Sequence, residues 1–131
     1  MTDANARMVL IVEDTDYIAD LAARVLQQIG FQTHQCYTSE DAISYMEQNP
    51  LPDLIVLDIG MPGMSGWQFL DVIKQYEETK LIPIVVTTAF GDAANRLIGK
   101  LRDVDRYLTK PYQPKELQAV VTQILEEHLN S

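Results

Sequence analysis

The sequence predicts an α/β fold: a doubly wound, five-stranded parallel sheet with helices on both faces. Three observations carry that reading. Five short apolar runs alternate along the chain with five helix-like stretches, the order that a parallel sheet covered on both sides produces. The runs Met8 to Val12 and Leu54 to Leu57 are apolar without alternation, as strands buried on both faces are. Finally, 47% of the 131 residues are apolar and 22% charged, enough for the two-sided core of a single domain.

Taken in order, Met8 to Val12 forms the first strand. Ile18, Leu21, Ala22, Val25, Leu26 and Ile29 then recur three and four apart, as on one face of a helix. Thr15 or Asp16 can cap its start, and Gly30 suits its end. Phe31 to Tyr37 alternates in part and reads as an edge strand. Thr38 or Ser39 opens a short helix through Gln48, with Ala42, Ile43 and Met46 inward, and Pro50 and Pro52 end it. Leu54 to Leu57 is the third strand, ending at Asp58, and the loop Ile59 to Gly66 is rich in Gly and Pro. A third helix carries Phe69, Leu70 and Ile73. Ile82 to Thr87 is the fourth strand, with Pro83 tolerable near its start. Ala93 to about Leu101 suits a fourth helix, and Arg106 to Thr109 a fifth strand. Pro114, at a first-turn position, opens a last helix with Leu117, Val120, Val121, Ile124 and Leu125 inward. The expected organisation is an N-terminal tail, residues 1–7, and one domain over 8–129, without repeats or an interdomain linker.

Composition limits the function. A net charge of −9 argues against direct binding of nucleic acid, which needs clustered Lys and Arg, and does not point to a membrane surface. No run approaches the roughly 20 apolar residues of a membrane-spanning helix, and Met1 to Arg7 lacks the apolar stretch of a signal peptide. The single cysteine, Cys36, permits no internal disulfide, reads as a small buried strand residue, and suits a reducing, cytoplasmic setting. His34 and His128 lack ligand spacing. Met46, Met61 and Met64 read as core or loop filling, and Trp67 as a packing residue at the start of the third helix.

In sheets of this kind the working residues gather at the carboxyl ends of the strands. Glu13 and Asp14 follow the first strand, Asp58 the third, Thr87 and Thr88 the fourth, and Lys110 the fifth. Three carboxylates within a few ångströms repel one another unless a cation joins them. Magnesium, which takes one or two carboxylates and leaves room for phosphate oxygens, is the natural choice. A lysine and a threonine hydroxyl at the same rim suit the oxygens of a phosphoryl group. Singly these residues mean less: a strand-end acidic pair is often a helix cap, a lone lysine a solvated one, and Tyr107 a half-buried strand aromatic. Asp58 is more informative, because apolar neighbours make an idle charge costly.

Four segments now carry a resemblance to response-regulator receiver domains. Val9-Leu10-Ile11-Val12-Glu13-Asp14 resembles their acidic opening, and the run from Asp53 through Asp58-Ile59-Gly60-Met61-Pro62-Gly63-Met64-Ser65-Gly66 their phosphoacceptor strand and loop. Ile82 to Ala89 is similar to their switch-hydroxyl strand, and Tyr107-Leu108-Thr109-Lys110-Pro111 to their terminal lysine motif. The match runs in order from about Met8 to Leu129.

The resemblance implies a flavodoxin-like strand order 2-1-3-4-5 and a phosphorylation-switched signalling receiver. Asp58 is the phosphoacceptor; Asp14 coordinates Mg2+, Glu13 supports it, and the Gly60 carbonyl adds a ligand. Lys110 pairs with phosphoryl oxygens, Thr88 rather than Thr87 is the moving hydroxyl, and Tyr107 follows it. The Lys110–Pro111 bond is expected to be cis, which proline allows. The implied donor is a sensor histidine kinase or histidine phosphotransfer protein. The receiver would catalyse only its own phosphorylation and dephosphorylation and signal to a downstream protein partner or effector domain. Four features depart from the family pattern: Gly60 has no side chain two places after the phosphoacceptor, Phe90 is large and apolar two after Thr88, Asp103-Val104 replaces the usual Gly-Ala before the fifth strand, and the last helix, Lys115 to Leu129, lacks the arginine-rich face of many DNA-binding regulators' receivers.

Two rivals stand beside this reading. Asp14-Thr15-Asp16 resembles the nucleophile motif of haloacid-dehalogenase-type phosphatases, but Ile18 is atypical there, no acidic pair follows Lys110, and the chain lacks room for a cap. A receiver-like module that is never phosphorylated is the other.

Overall fold

The computed structural model of the chain describes residues 7–61, 63–89 and 106–129. Its five strands are β1 (Met8–Val12), β2 (Gln32–Cys36), β3 (Leu54–Asp58), β4 (Ile84–Ala89) and β5 (Arg106–Lys110). All pair in parallel in the order β2-β1-β3-β4-β5. The helices are α1 (Asp16–Gln27), α2 (Ser39–Gln48), α3 (Gly66–Ile73) and the last helix, α4 (Pro114–Leu129). The helix expected near 93–101 lies outside the described residues, as do Phe90, Asp103 and Val104.

Alternation along the strands builds two cores. Val9, Ile11, Val56, Val85 and Leu108 face α1 and α4, while Leu10, Val12, Ile55, Leu57, Ile84 and Val86 face α2 and α3. The central strands are therefore apolar on both sides, which is why β1 and β3 read as continuous apolar runs. Of the strand-end polar groups, Glu13, Asp58, Thr87 and Thr88 are buried above this double core, whereas Asp14 is exposed.

Three details differ from the sequence expectation. In α1 the buried positions are Ala19, Ala22, Ala23, Val25 and Leu26, whereas Leu21 is 53% and Ile29 43% exposed. The stripe is centred on alanines, which carry no bulk to hold the helix off the sheet; Leu21 falls beside it and Ile29 lies past the last turn. β4 starts at Ile84 rather than Ile82 and runs on to Ala89. Pro83 has no N–H for the ladder, but its carbonyl accepts from Ile55 N at 3.0 Å. β2 is the shorter Gln32–Cys36, because Phe31 N is taken by Leu26 O in the turn after α1.

Helix starts follow local chemistry. Thr38 caps α2 by accepting from Asp41 N, and Ser65 with Gln68 forms a reciprocal capping box at α3. Thr15 occupies the cap position of α1 without a side-chain bond.

Candidate functional site

The topology brings the carboxyl ends of β1 and β3 side by side, with the end of β5 reaching back over them. Carboxylate oxygens of Glu13, Asp14 and Asp58 lie within 4.8 Å of one another. Glu13 and Asp58 are buried, at 4% and 6% exposure, and Asp14 is exposed. Glu13 N donates to Cys36 O at 3.0 Å, extending the β1–β2 ladder to the acid itself. The Glu13 carboxylate accepts from Thr15 N at 3.2 Å and from Lys110 Nζ at 2.5 Å. Asp58 accepts from Gly60 N at 3.0 Å, and its other oxygen is 3.4 Å from Lys110 Nζ.

One lysine thus serves two buried carboxylates while a third stands open to solvent. Burial pushes the Glu13 carboxyl up to about 7; the Lys110 hydrogen bond opposes this and the Asp58 charge adds to it. Such a cluster favours a further cation. Three oxygen donors converging on one point, with an exposed side for water, fit a hard divalent ion of the magnesium type.

Thr87 and Thr88 are both buried, at 2% exposure, but point to opposite faces. Thr87 pairs with Asp58, and its carbonyl accepts from Ile59 N at 3.1 Å. Thr88 follows Ile84 and Val86 onto the face shared with Tyr107. The Tyr107 ring is partly buried there, 6.4 Å centroid to centroid from Trp67. The Lys110–Pro111 peptide is cis. Asp16, the acid of the rival phosphatase motif, opens α1 and stands outside the cluster.

The loop after Asp58 is pinned at both ends. A Cβ placed on Gly66 would stand 2.7 Å from Ile59 Cα and 2.8 Å from Asp58 O, so α3 can begin this close to the end of β3 only with glycine. Ser39, 1% exposed, donates to Met64 O at 3.0 Å, and Gly63 takes the left-handed φ of 73°. Tyr112 was not legible as a site neighbour. It packs on the α1–α4 core, and burial with the charges of Glu13 and Asp58 pushes its phenol up to about 12. An aromatic after Lys-Pro gives no sequence signal of that proximity.

The remaining candidates pack as expected. His34 stacks on Tyr45 at 3.9 Å. Cys36 is buried and its thiol pushed up to about 11 by burial first and Asp41 second. Met46 and Met61 are core, and Met64 and Trp67 pack against it. The side chain of His128 lies outside the described residues.

Comparison with known proteins agrees with this geometry. The response regulator receiver domain family matches residues 9–122. The phosphate regulon transcriptional regulatory protein PhoB of Klebsiella pneumoniae is 39% identical over 120 residues, 92% of this chain and 52% of its own. The chain thus spans about half the length of that relative. A Chloroflexus aurantiacus structure assigned as a response regulator superposes with a TM-score of 0.88 at 32% identity, covering 93% of this chain and 99% of its own. The signal receiver domain of a signal transduction histidine kinase from Syntrophus aciditrophicus gives 0.85 at 27% identity, covering 93% and 92%.

Proposed function

The chain belongs to the response regulator receiver domain family of two-component signalling, and from that premise we propose that Asp58 is its phosphoacceptor. The observation that carries the assignment is the buried Asp58 carboxylate, held by Gly60 N on one oxygen and faced by Lys110 on the other, inside a cluster with Glu13 and Asp14. A buried, oriented carboxylate is a competent nucleophile when its charge is balanced. Attack on the phosphorus of a phosphohistidine forms an aspartyl phosphate and releases the imidazole.

Mg2+ would be held by Asp14 and Asp58, with Glu13 supporting it and the Gly60 carbonyl as a further ligand. When bound it neutralises charge on the phosphoryl oxygens. Lys110, which faces Glu13 and Asp58, pairs with those oxygens in this reading. Thr88 is the hydroxyl that follows them, and Tyr107 the aromatic on the same face that responds. The receiver unit runs over 8–129 after the tail 1–7, works in the cytoplasm, and catalyses only its own phosphorylation and dephosphorylation. Its donor is a sensor histidine kinase or histidine phosphotransfer protein, and its output passes by protein contact to a downstream partner or effector domain, without direct contact to nucleic acid. Among the described residues no helix is long and apolar enough to cross a membrane.

Family membership overturns the phosphatase reading built on Asp14 and Asp16. A beryllofluoride titration with magnesium, followed by amide NMR shifts, tests what is left. Shifts centred on Asp58 and Thr88 are expected; a chain that responds nowhere is an interaction module that is never phosphorylated.

A further inference from the structure

Thr38 already caps α2, its side chain accepting from Asp41 N, so the next residue, Ser39, is not needed for that task. Ser39 is nevertheless 1% exposed, and a buried hydroxyl needs a partner. It finds one far along the chain: Ser39 Oγ donates to Met64 O at 3.0 Å. A second approach lies beside it, since a Cβ on Gly63 would stand 3.7 Å from Glu40 Oε2. The first turn of α2 therefore docks on the loop that leaves Asp58.

Gly60 N is tied to Asp58, Ile59 and Met61 are buried, and Gly66 is wedged against Asp58 O and Ile59. Among the described residues between Met61 and the Ser65 cap, Met64 is tied to a neighbouring helix by the Ser39 bond. Met64 lies four residues after Gly60, so this tie bears on the segment that carries the Gly60 carbonyl.

We propose that Ser39 is a positioning residue for magnesium binding: through Met64 it holds the Asp58–Gly66 loop so that Gly60 and Asp58 present their oxygens to the ion together. The inference rests on the reading of Asp58 and Gly60 as metal ligands. Groups that orient ligands from behind commonly change metal affinity when removed.

The test compares wild type, Ser39→Ala and Thr38→Ala in a magnesium titration followed by the amide shifts of Glu13, Asp14 and Gly60, with thermal melts alongside. Ser39→Ala is expected to raise the half-saturating magnesium concentration roughly tenfold. Thr38→Ala removes the helix cap and should lower the melting temperature without moving that concentration. If Ser39→Ala does not fold, Ser39→Cys, close in volume and a weak donor, reads the same loss. Unchanged magnesium affinity in the folded Ser39 variant, with wild type responding, overturns the positioning role alone. The same holds if Thr38→Ala moves affinity as far as Ser39→Ala. A wild type whose site amides ignore magnesium overturns the metal-site reading and this inference with it.

Discussion

Thr88 and Tyr107 occupy one face of the sheet in adjacent registers, Tyr107 opposite Val86 and Thr88 opposite Thr109. If Thr88 moves toward Asp58 as the proposed switch requires, the space beside the Tyr107 ring changes. Trp67, the one tryptophan of the chain, sits 6.4 Å beyond that ring. Its fluorescence is therefore expected to change when beryllofluoride and magnesium are added, and to change far less in Thr88→Ala and Tyr107→Leu. An equal response in all three proteins would place the switch elsewhere.

Asp58→Asn should abolish labelling by acetyl phosphate while leaving the fold intact. The amide is nearly isosteric and still accepts from Gly60 N, but it does not attack phosphorus. Intact mass after incubation checks the loss, and far-ultraviolet circular dichroism checks the fold. Stoichiometric labelling of this variant would move the phosphoacceptor to another residue.

Glu13 gives the metal-free protein a pH signature. Burial raises its carboxyl from the ordinary 4.5 to about 7, among Asp14, Asp58, the Lys110 ammonium and the Tyr112 phenol. Between those two values the folded state holds a proton that the unfolded chain has released. Stability must then fall as pH rises from about 4.5 to 7 and level off above. Urea midpoints in chelator should show this fall in wild type, and a flatter profile in Glu13→Gln. Magnesium, which favours the charged carboxylate, should oppose the fall. Identical slopes in wild type and Glu13→Gln would remove Glu13 as the source.

Gly66 and Gly60 make opposite predictions within one loop. A Cβ on Gly66 meets backbone at 2.7 and 2.8 Å, whereas on Gly60 the nearest atom is Asp58 Oδ1 at 3.8 Å. Gly66→Ala should therefore cost about 1–3 kcal/mol by overpacking and slow phosphorylation by displacing Ile59. Gly60→Ala should stay within about 0.5 kcal/mol. Denaturant midpoints decide it, and a neutral Gly66→Ala would mean that α3 can retreat without loss.

Much of this is legible in the sequence because burial on two faces leaves a plain trace. The apolar runs of β1 and β3 admit no solvent face, and acids placed directly after such runs must lie at strand ends. The inward face of α1 was less legible. Hydrophobicity ranks Leu21 and Ile29 above Ala19 and Ala23, but the sheet selects the small residues that fit closest. Ser39 read as one of two possible caps because its partner is Met64, 25 positions away, and no local pattern encodes that distance. Tyr112 lies two residues past the end of β5, yet the charges of Glu13 and Asp58 reach its phenol, a proximity that no local pattern encodes.

The aspartyl phosphate should be long-lived, and Gly60 is a reason why. Hydrolysis needs a water in line with the Asp58–phosphorus bond, and holding that water takes a polar group beside the carboxylate. Position 60 is well placed for such a group: a side chain there would begin 3.8 Å from Asp58 Oδ1, yet glycine supplies none. Gly60→Asn is thus expected to shorten the lifetime by roughly three- to tenfold, a barrier change near 1 kcal/mol, with little effect on the rate of phosphorylation. Decay of the labelled protein after donor removal measures it. Phe90→Glu, which introduces a carboxylate two places after Thr88, should act in the same direction. Unchanged decay in both variants would mean that water access at these two positions does not set the lifetime.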